Sequence, residues 1–104
     1  MRKQTSNTDS TTDVRSLLRP HLPELTRRYH IKSLRLFGSY LRGEQEKTSD
    51  IDLLIDFEQT PTLFELMDLE EELEKILHTE VDLVTEKSLR GEIGHRITRE
   101  AVPV

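Results

Sequence analysis

The chain has 104 residues, enough for one domain built around a single core. Hydrophobic and charged residues each make up 34% of it, the net charge is −5, and cysteine is absent. This composition excludes disulfides, thiolate metal sites and a general nucleic-acid binder, whose affinity comes from Lys and Arg neutralising phosphates. No apolar run approaches the roughly 20 residues that cross a bilayer, and the first ten residues lack the apolar segment of a secretory signal. We therefore expect a cytoplasmic protein with no membrane contact and no direct nucleic-acid binding.

The N-terminal region predicts a flexible tail followed by helix. Residues 1–12 are polar and rich in Ser and Thr, and they cannot bury enough apolar surface to offset the entropy of ordering. From residue 13 a folded domain is expected to extend to residue 104. Its first apolar residues recur at helical spacing, and two prolines at 20 and 23 predict a kink or two short helices. This stripe consists of Val14, Leu18, Leu22, Leu25 and Tyr29.

Three apolar stretches predict strands, at residues 31–37, 51–57 and 81–85. Between the last two, Thr62 and Glu65 have the spacing of a capping box, which predicts the start of a helix. The expected core side of that helix carries Leu66, Leu69, Leu73, Ile76 and Leu77, and its acidic side is expected to be a solvated surface.

Ser88 is predicted to cap a last helix that ends at Pro103. The face repeating every four residues in this helix consists of Leu89, Ile93, Ile97 and Ala101. The arginines at 90, 96 and 99 could contact a partner or the nucleotide, but we interpret them as the solvated side of this helix. The whole alternation of helices and strands indicates an α/β (α+β) domain with a small central sheet.

Two aspartates separated by one residue stand at the head of the second predicted strand. On a strand, Asp50 and Asp52 would project from one face, roughly 7 Å apart along the chain. Carboxylates this close repel unless a cation lies between them, and hard oxygen ligands suit Mg²⁺ or Mn²⁺. Asp82 lies in the third predicted strand and could complete a site for two metals about 4 Å apart.

The same aspartates have a simpler interpretation. The tripeptide pattern is common, and Asp50 and Asp52 could be turn and edge residues, with Ser49-Asp50 acting as a cap. Asp56 shares their parity but comes at the far end of the strand. A loop role is simpler there, so Asp56 is not assigned to the site.

A possible phosphate-binding segment precedes the aspartates. Gly38 ends the first predicted strand and removes a side chain where a ligand could approach, and Ser39 adds a hydroxyl and an amide. A short helix could follow before Gly43, and Arg42 would add positive charge toward a phosphate. Gly-Ser alone is usually a turn, and a lone arginine is usually a surface residue.

Taken together, these residues resemble the nucleotidyltransferases related to DNA polymerase beta, and most closely the minimal nucleotidyltransferase (MNT) domains. Gly38-Ser39, ten intervening residues and Asp50-Ile51-Asp52 match the two-part signature of that superfamily. The segment 37–44, Phe-Gly-Ser-Tyr-Leu-Arg-Gly-Glu, and the third acid at Asp82 match as well. The resemblance runs from about residue 17 to residue 102. Tyr40 and Leu41 are bulkier than the small residues often found there.

The resemblance implies a mixed sheet with helices packed on it, in the polymerase-beta-like nucleotidyltransferase fold. It also implies Mg²⁺, as two ions, with ATP as co-substrate. By the same resemblance, Gly38, Ser39 and Arg42 would bind the nucleotide, and Asp50, Asp52 and Asp82 would be the catalytic residues and metal ligands. Asp82 would either hold metal or activate the acceptor hydroxyl.

The function implied is that of an antitoxin enzyme. MNT proteins commonly pair with a HEPN-domain ribonuclease toxin, and members of this type transfer AMP from ATP to a toxin tyrosine. One alternative is a non-catalytic antitoxin that inhibits its toxin by binding alone. Another is an enzyme that modifies a small molecule, but 104 residues leave no second domain for an acceptor pocket.

Overall fold

A computed structural model describes residues 10–38 and 50–104. In chain order the elements are α1 (Ser10–Leu18), a 3₁₀ turn (Arg19–His21), α2 (Leu22–Tyr29), β1 (Ile31–Phe37) and β2 (Ile51–Phe57). They continue with α3 (Leu63–Leu77), β3 (Val81–Thr85), a second 3₁₀ turn (Glu86–Ser88), α4 (Gly91–Glu100) and β4 (Val102–Pro103). The three predicted strands are confirmed, and so is the interruption at the prolines, where the 3₁₀ turn separates α1 from α2.

The described strands form a four-stranded mixed sheet in the order β3-β2-β1-β4. β2 runs parallel to β3 and antiparallel to β1, and β4 pairs antiparallel with β1. A mixed sheet with helices packed on it was the predicted architecture, and it is confirmed. Because β2 and β3 are parallel, their amino-terminal ends lie side by side at one end of the sheet, where β1 also ends.

The main core lies on one face of the sheet, beneath α1, α2 and α3. From β2 it includes Ile51, Leu53 and Ile55, which alternate along the strand as residues on one face must. Leu69 and Leu73 of α3 are fully buried against them. Because these residues of β2 pack into the core, the Asp52 side chain lies on the opposite face of the sheet.

The capping box predicted at the start of α3 is confirmed. The Thr62 hydroxyl accepts the Glu65 backbone N–H at 3.1 Å, and the Glu65 carboxylate accepts the Thr62 backbone N–H at 2.8 Å. At its other end α3 finishes at His78, which adopts a left-handed φ of 58° and donates its N–H to the Glu74 carbonyl. Reciprocal capping of this kind satisfies backbone groups that have no partner within the helix.

Two acids on the supposedly solvated side of α3 are instead engaged. Glu72 accepts hydrogen bonds from the Tyr29 hydroxyl and, at 2.8 Å, from the Arg28 guanidinium. Glu74 accepts the backbone N–H of Val81 at 3.2 Å. The prediction of a purely solvated acidic face was therefore wrong at these two positions, because helix spacing does not reveal which acids meet neighbouring elements.

The C-terminal region differs most from expectation. α4 begins at Gly91, and Ser88 does not cap it, because the Ser88 hydroxyl donates to the Thr85 carbonyl within the preceding 3₁₀ turn. The helix ends at Glu100, before Pro103, which belongs to β4. β4 was not predicted, since a two-residue strand exists only through its pairing with β1.

Candidate active site

One end of the sheet gathers several of the predicted site residues. Phe37, the last residue of β1, pairs with Asp52 of β2, and Asp52 pairs with Asp82 of β3 in parallel register. Because side chains alternate along each strand, residues paired across adjacent strands leave the sheet on the same side. The structure therefore places the Asp52 and Asp82 side chains next to each other on one face.

Gly38 and Asp52 are in direct contact. Gly38 adopts φ +83°, a left-handed conformation that favours glycine. A Cβ at this position would lie 2.1 Å from Asp52 Oδ2 and 3.0 Å from its Cγ. The sequence suggested that Gly38 clears space for a ligand, and the structure gives a further reason for glycine: the Asp52 carboxylate needs that space.

Asp50 is exposed and immediately precedes β2. The next residue anchors this point, because the Ile51 N–H donates to the Glu80 carbonyl at 2.9 Å and so holds the start of β2 against the approach to β3. Asp52 is half-buried, whereas Asp82 is exposed. The three aspartates thus lie at one end of the sheet, but only Asp52 is enclosed by neighbouring residues.

The carboxylates of Asp52 and Asp82 suit a hard divalent cation, because the pairing of β2 with β3 places these two residues side by side. Carboxylate oxygens are the ligands that Mg²⁺ prefers, and the missing side chain of Gly38 leaves the space that the Asp52 carboxylate occupies. Within residues 10–38 and 50–104, however, no three His, Asp or Glu side chains are already arranged as a set able to hold a metal ion. The assignment of Asp50, Asp52 and Asp82 as metal ligands stays a prediction.

A pocket of about 270 Å³ opens beside Asp52, between the end of the sheet and α4. Sites for drug-sized ligands span about 300–1,000 Å³, so this pocket could take part of a nucleotide. Its walls come from β1, β2 and α4. The lining residues are Phe37, Gly38, Asp52, Ile93, Arg96, Ile97 and Glu100.

Arg96 brings positive charge to the pocket that holds Asp52. Its side chain is 72% exposed, and its Nε lies 3.6 Å from Glu100 Oε2, one helical turn away. An exposed pair of this kind contributes only about 0.3–0.5 kcal/mol, so an incoming anion can readily compete for the guanidinium. Arg96 is exposed, as expected for a residue on a solvated helix face, but it also lines the pocket beside Asp52.

Ile93 also departs from expectation. It was grouped with the apolar face of the last helix, yet it is 73% exposed and lines the pocket edge. The apolar face is interrupted because this part of α4 borders the pocket that contains Gly38 and Asp52 instead of an apolar surface.

An ionic network holds α4 over this face of the sheet. Arg35 of β1 donates to Glu86 Oε2 at 2.6 Å and to the Thr98 carbonyl at 3.3 Å. Its Nε is buried, with no partner among the described residues. Ser33 adds a weaker contact to the same Glu86 carboxylate at 3.4 Å. Arg35 therefore joins β1, the second 3₁₀ turn and α4, and so positions the helix that carries Arg96.

Asp56 lies at the opposite end of β2, where its carboxylate contacts neighbouring residues of the sheet. Its carboxylate accepts the Phe57 N–H at 3.0 Å and lies 4.0 Å from the Lys32 ammonium. This agrees with its exclusion from the predicted site. Ser39, Arg42 and the short helix expected before Gly43 lie outside the described residues, so their assignments remain predictions.

No helix in the described parts of the chain combines the length and apolarity needed to span a bilayer.

Comparisons with known proteins agree on one family. The family model for the nucleotidyltransferase domain matches residues 18–102. The protein adenylyltransferase MntA of Thermococcus cleftensis is 42% identical over 92 residues, which cover 88% of this chain and 93% of that protein.

Solved structures show the same fold. A candidate minimal nucleotidyltransferase superposes with a TM-score of 0.73 at 31% identity, covering 99% of this chain and 100% of that one. A toxin–antitoxin structure containing AMP-PNP has a TM-score of 0.65 at 26% identity, covering 79% and 68%. A tri-AMPylated HEPN toxin of Shewanella oneidensis in complex with its MNT antitoxin matches with a TM-score of 0.60, covering 90% and 70%, and at 20% identity it supports the fold alone.

Proposed function

Because the chain belongs to the nucleotidyltransferase domain family, we propose that it is an antitoxin that transfers AMP from ATP to a tyrosine of a HEPN ribonuclease toxin. The observation that carries the proposal is the juxtaposition of Gly38, Asp52 and Asp82 at one end of the sheet. The similarity to a protein adenylyltransferase supports protein as the acceptor class.

The reaction joins an acceptor hydroxyl oxygen to the α-phosphorus of ATP. The bond from that phosphorus to the bridging oxygen breaks, and pyrophosphate leaves in line with the attack. Such transfer depends mostly on positioning and on neutralising charge. In this chain Gly38 has no side chain to displace the Asp52 carboxylate, and Arg96 lines the same pocket. Asp82 is exposed on β3, where an acceptor could reach it from solvent.

Mg²⁺ would be held by Asp50, Asp52 and Asp82, and when bound it would neutralise charge on the phosphates. Gly38, Ser39 and Arg42 would contact the nucleotide. Asp82 either completes the ligand set or accepts the proton of the tyrosine hydroxyl. Its exposure at the edge strand supports the second role, because an acceptor from another protein must reach it from solvent.

The HEPN toxin as partner is supported by the resemblance to MNT domains and by the likeness to a toxin–antitoxin structure at 26% identity. The likeness to a toxin–antitoxin structure containing AMP-PNP supports ATP as the donor. The second candidate is inhibition by binding alone, which needs a contact surface on this chain but no transfer of AMP.

The test uses ATP labelled at the α-phosphate, Mg²⁺ and the purified product of the gene adjacent to that of this chain. Wild type should label that protein on tyrosine, and Asp52→Asn should lower the rate by about 10²-fold or more, as loss of a transition-state charge contact does. Asp56→Asn is the matched control, because it makes the same change on the same strand face at the far end, and it should retain activity.

The outcomes separate the two candidates. An unlabelled partner in the presence of the wild-type chain contradicts the enzymatic proposal. If an Asp50→Asn/Asp52→Asn double variant still neutralises the toxin at full strength, inhibition by binding alone is the better account.

A further inference from the structure

Three large apolar side chains at the start of α3 face solvent. Leu63 is 69% exposed, Phe64 78% and Met67 56%. We call these three residues the α3 patch. They occupy positions i, i+1 and i+4, so they lie on one side of the helix. The other large apolar residues of α3 that face the sheet, such as Leu69 and Leu73, are completely buried.

The α3 patch is held in place rather than frayed. The capping box between Thr62 and Glu65 fixes the first turn of the helix from both directions. A fixed, exposed apolar cluster in a chain with only 34% hydrophobic residues is typical of an interaction site.

The patch lies away from the candidate active site. β2 begins beside Asp52 and ends at Phe57, about 17 Å further on at 3.3 Å per residue. The chain then passes through residues 58–62 directly into the patch. A partner docked there would leave the pocket beside Asp52 open to ATP.

A small apolar pocket adjoins this end of the sheet. It has a volume of about 130 Å³, and its walls include Ile55, Phe57 and Pro61. Pro61 is only two residues from Leu63. A pocket of this size could receive one apolar side chain from a docked protein.

The charge around the patch selects the kind of partner. Asp68 lies one turn after Phe64, Glu71 lies one turn after Met67, and both acids are exposed, while Lys75 is the sole basic residue of α3. In a symmetric dimer formed through this face, the same patch of each copy would form the interface, which would bring the acids of the two copies together. Like charges opposed across an interface are unfavourable, so a second copy of this chain is a poor occupant.

We propose that the α3 patch docks the toxin partner, through an apolar cluster on that protein surrounded by Lys and Arg. The proposal rests on the proposed function for the identity of the partner. It separates two tasks: α3 recognises the partner at one end of the sheet, and the aspartates modify it at the other.

The test measures the Kd between this chain and the purified product of the adjacent gene by isothermal titration calorimetry. Phe64→Ser should raise the Kd at least tenfold, whereas Phe64→Leu, which keeps an apolar side chain, should stay within about threefold, as hot-spot contacts behave. Asp68→Lys should raise the Kd severalfold at low salt. Its matched control, Glu92→Lys on α4 across the sheet, should not. Thermal unfolding confirms that each variant is folded.

An unchanged Kd for Phe64→Ser, with the wild-type chain still labelling the partner, overturns the docking proposal and leaves the proposed function intact. A wild-type dimer in sedimentation equilibrium that Phe64→Ser converts to monomer also overturns it, since the patch would then be a self-interface. If the wild-type chain neither binds nor labels the partner, the proposed function fails, and the docking proposal fails with it.

Discussion

The backbone of Gly38 and the carboxylate of Asp52 occupy adjoining space, and each constrains the other. The left-handed φ of +83° disfavours any side chain at position 38. A Cβ added there would lie 2.1 Å from Asp52 Oδ2, so no side chain fits unless the carboxylate moves. Glycine at this position is therefore needed to keep the aspartate where it faces the pocket.

Gly38→Ala should lower the free energy of unfolding by about 2 kcal/mol or more, because it adds a clash to the roughly 1–2 kcal/mol cost of a left-handed non-glycine residue. It should also abolish AMP transfer. Chemical denaturation and the labelling assay measure the two effects. Gly91→Ala is the matched control, since Gly91 has φ +65° but an added Cβ would have no neighbour within 4 Å among the described residues. Equal losses in the two variants would contradict the role given to Asp52.

The Tyr29–Glu72 pair gives the fold a dependence on pH. Burial, and then the hydrogen bond to Glu72, raise the pKa of Tyr29 to about 12, and the hydrogen bond from Tyr29 is the main cause that lowers the pKa of Glu72. Glu72 therefore adds stability that is present above its ordinary pKa of 4.5 and is lost as the pH falls through its lower folded value. Tyr29 adds stability that is present below pH 10 and is lost as the pH rises toward 12.

Tyr29→Phe should remove about 1 kcal/mol at neutral pH, the order of one hydrogen bond. It should also flatten the loss of stability below pH 4.5 and above pH 10. Urea unfolding at a series of pH values measures both effects. An unchanged pH profile would show that this contact does not couple α2 to α3.

The helix α4 adds a positive charge to the candidate site. Its Arg96 lines the pocket beside Asp52, and its position depends on Arg35, which reaches both Glu86 and the Thr98 carbonyl. Arg96→Ala should raise the KM for ATP several-fold without lowering thermal stability, because its pairing with Glu100 is exposed and weak. Arg99→Ala, on the same helix but outside that pocket, should leave the KM unchanged. Equal effects of the two variants would indicate only a general electrostatic contribution.

The sequence was sufficient for elements whose signals are local. β1, β2 and β3 follow from apolar runs bounded by turn residues, and the start of α3 follows from Thr62 and Glu65, whose reciprocal hydrogen bonds involve only four residues of chain. The start of α4 was misplaced because the Ser88 hydroxyl bonds backward to Thr85 instead of forward into the helix. Spacing alone cannot distinguish these two partners.

Only part of the candidate site could be predicted, because sequence patterns report local structure and the site also depends on long-range pairing. Asp50, Asp52 and Asp82 carry a signature in the sequence, but the register that places Asp52 beside Asp82 is a long-range property of the sheet. The place of Ile93 at the pocket was missed, and a nucleotide contact by Arg96 was the less favoured interpretation, because both depend on where α4 lies over the sheet. That position is stabilised by Arg35 and by the pairing of β4 with β1.

At the scale of the whole molecule, the sheet separates three functions by face and by end. One face packs on α1, α2 and α3 to form the core, while the other carries the exposed Asp82 and also Asp52, which lines the pocket bordered by α4. The α3 patch lies at the end opposite the aspartates. This arrangement would let a chain of 104 residues hold the proposed nucleotide site and the proposed partner surface without overlap.

We expect metal and nucleotide to meet at the end of the sheet formed by Gly38, Asp52 and Asp82. The most direct measurement is paramagnetic broadening of backbone amide resonances by Mn²⁺ in the presence of AMP-PNP. We predict broadening centred on residues 50–53 and 81–83, sparing the far end of β2 near Asp56, and its loss in Asp52→Asn. Broadening centred elsewhere, or unchanged in Asp52→Asn, would contradict the claim.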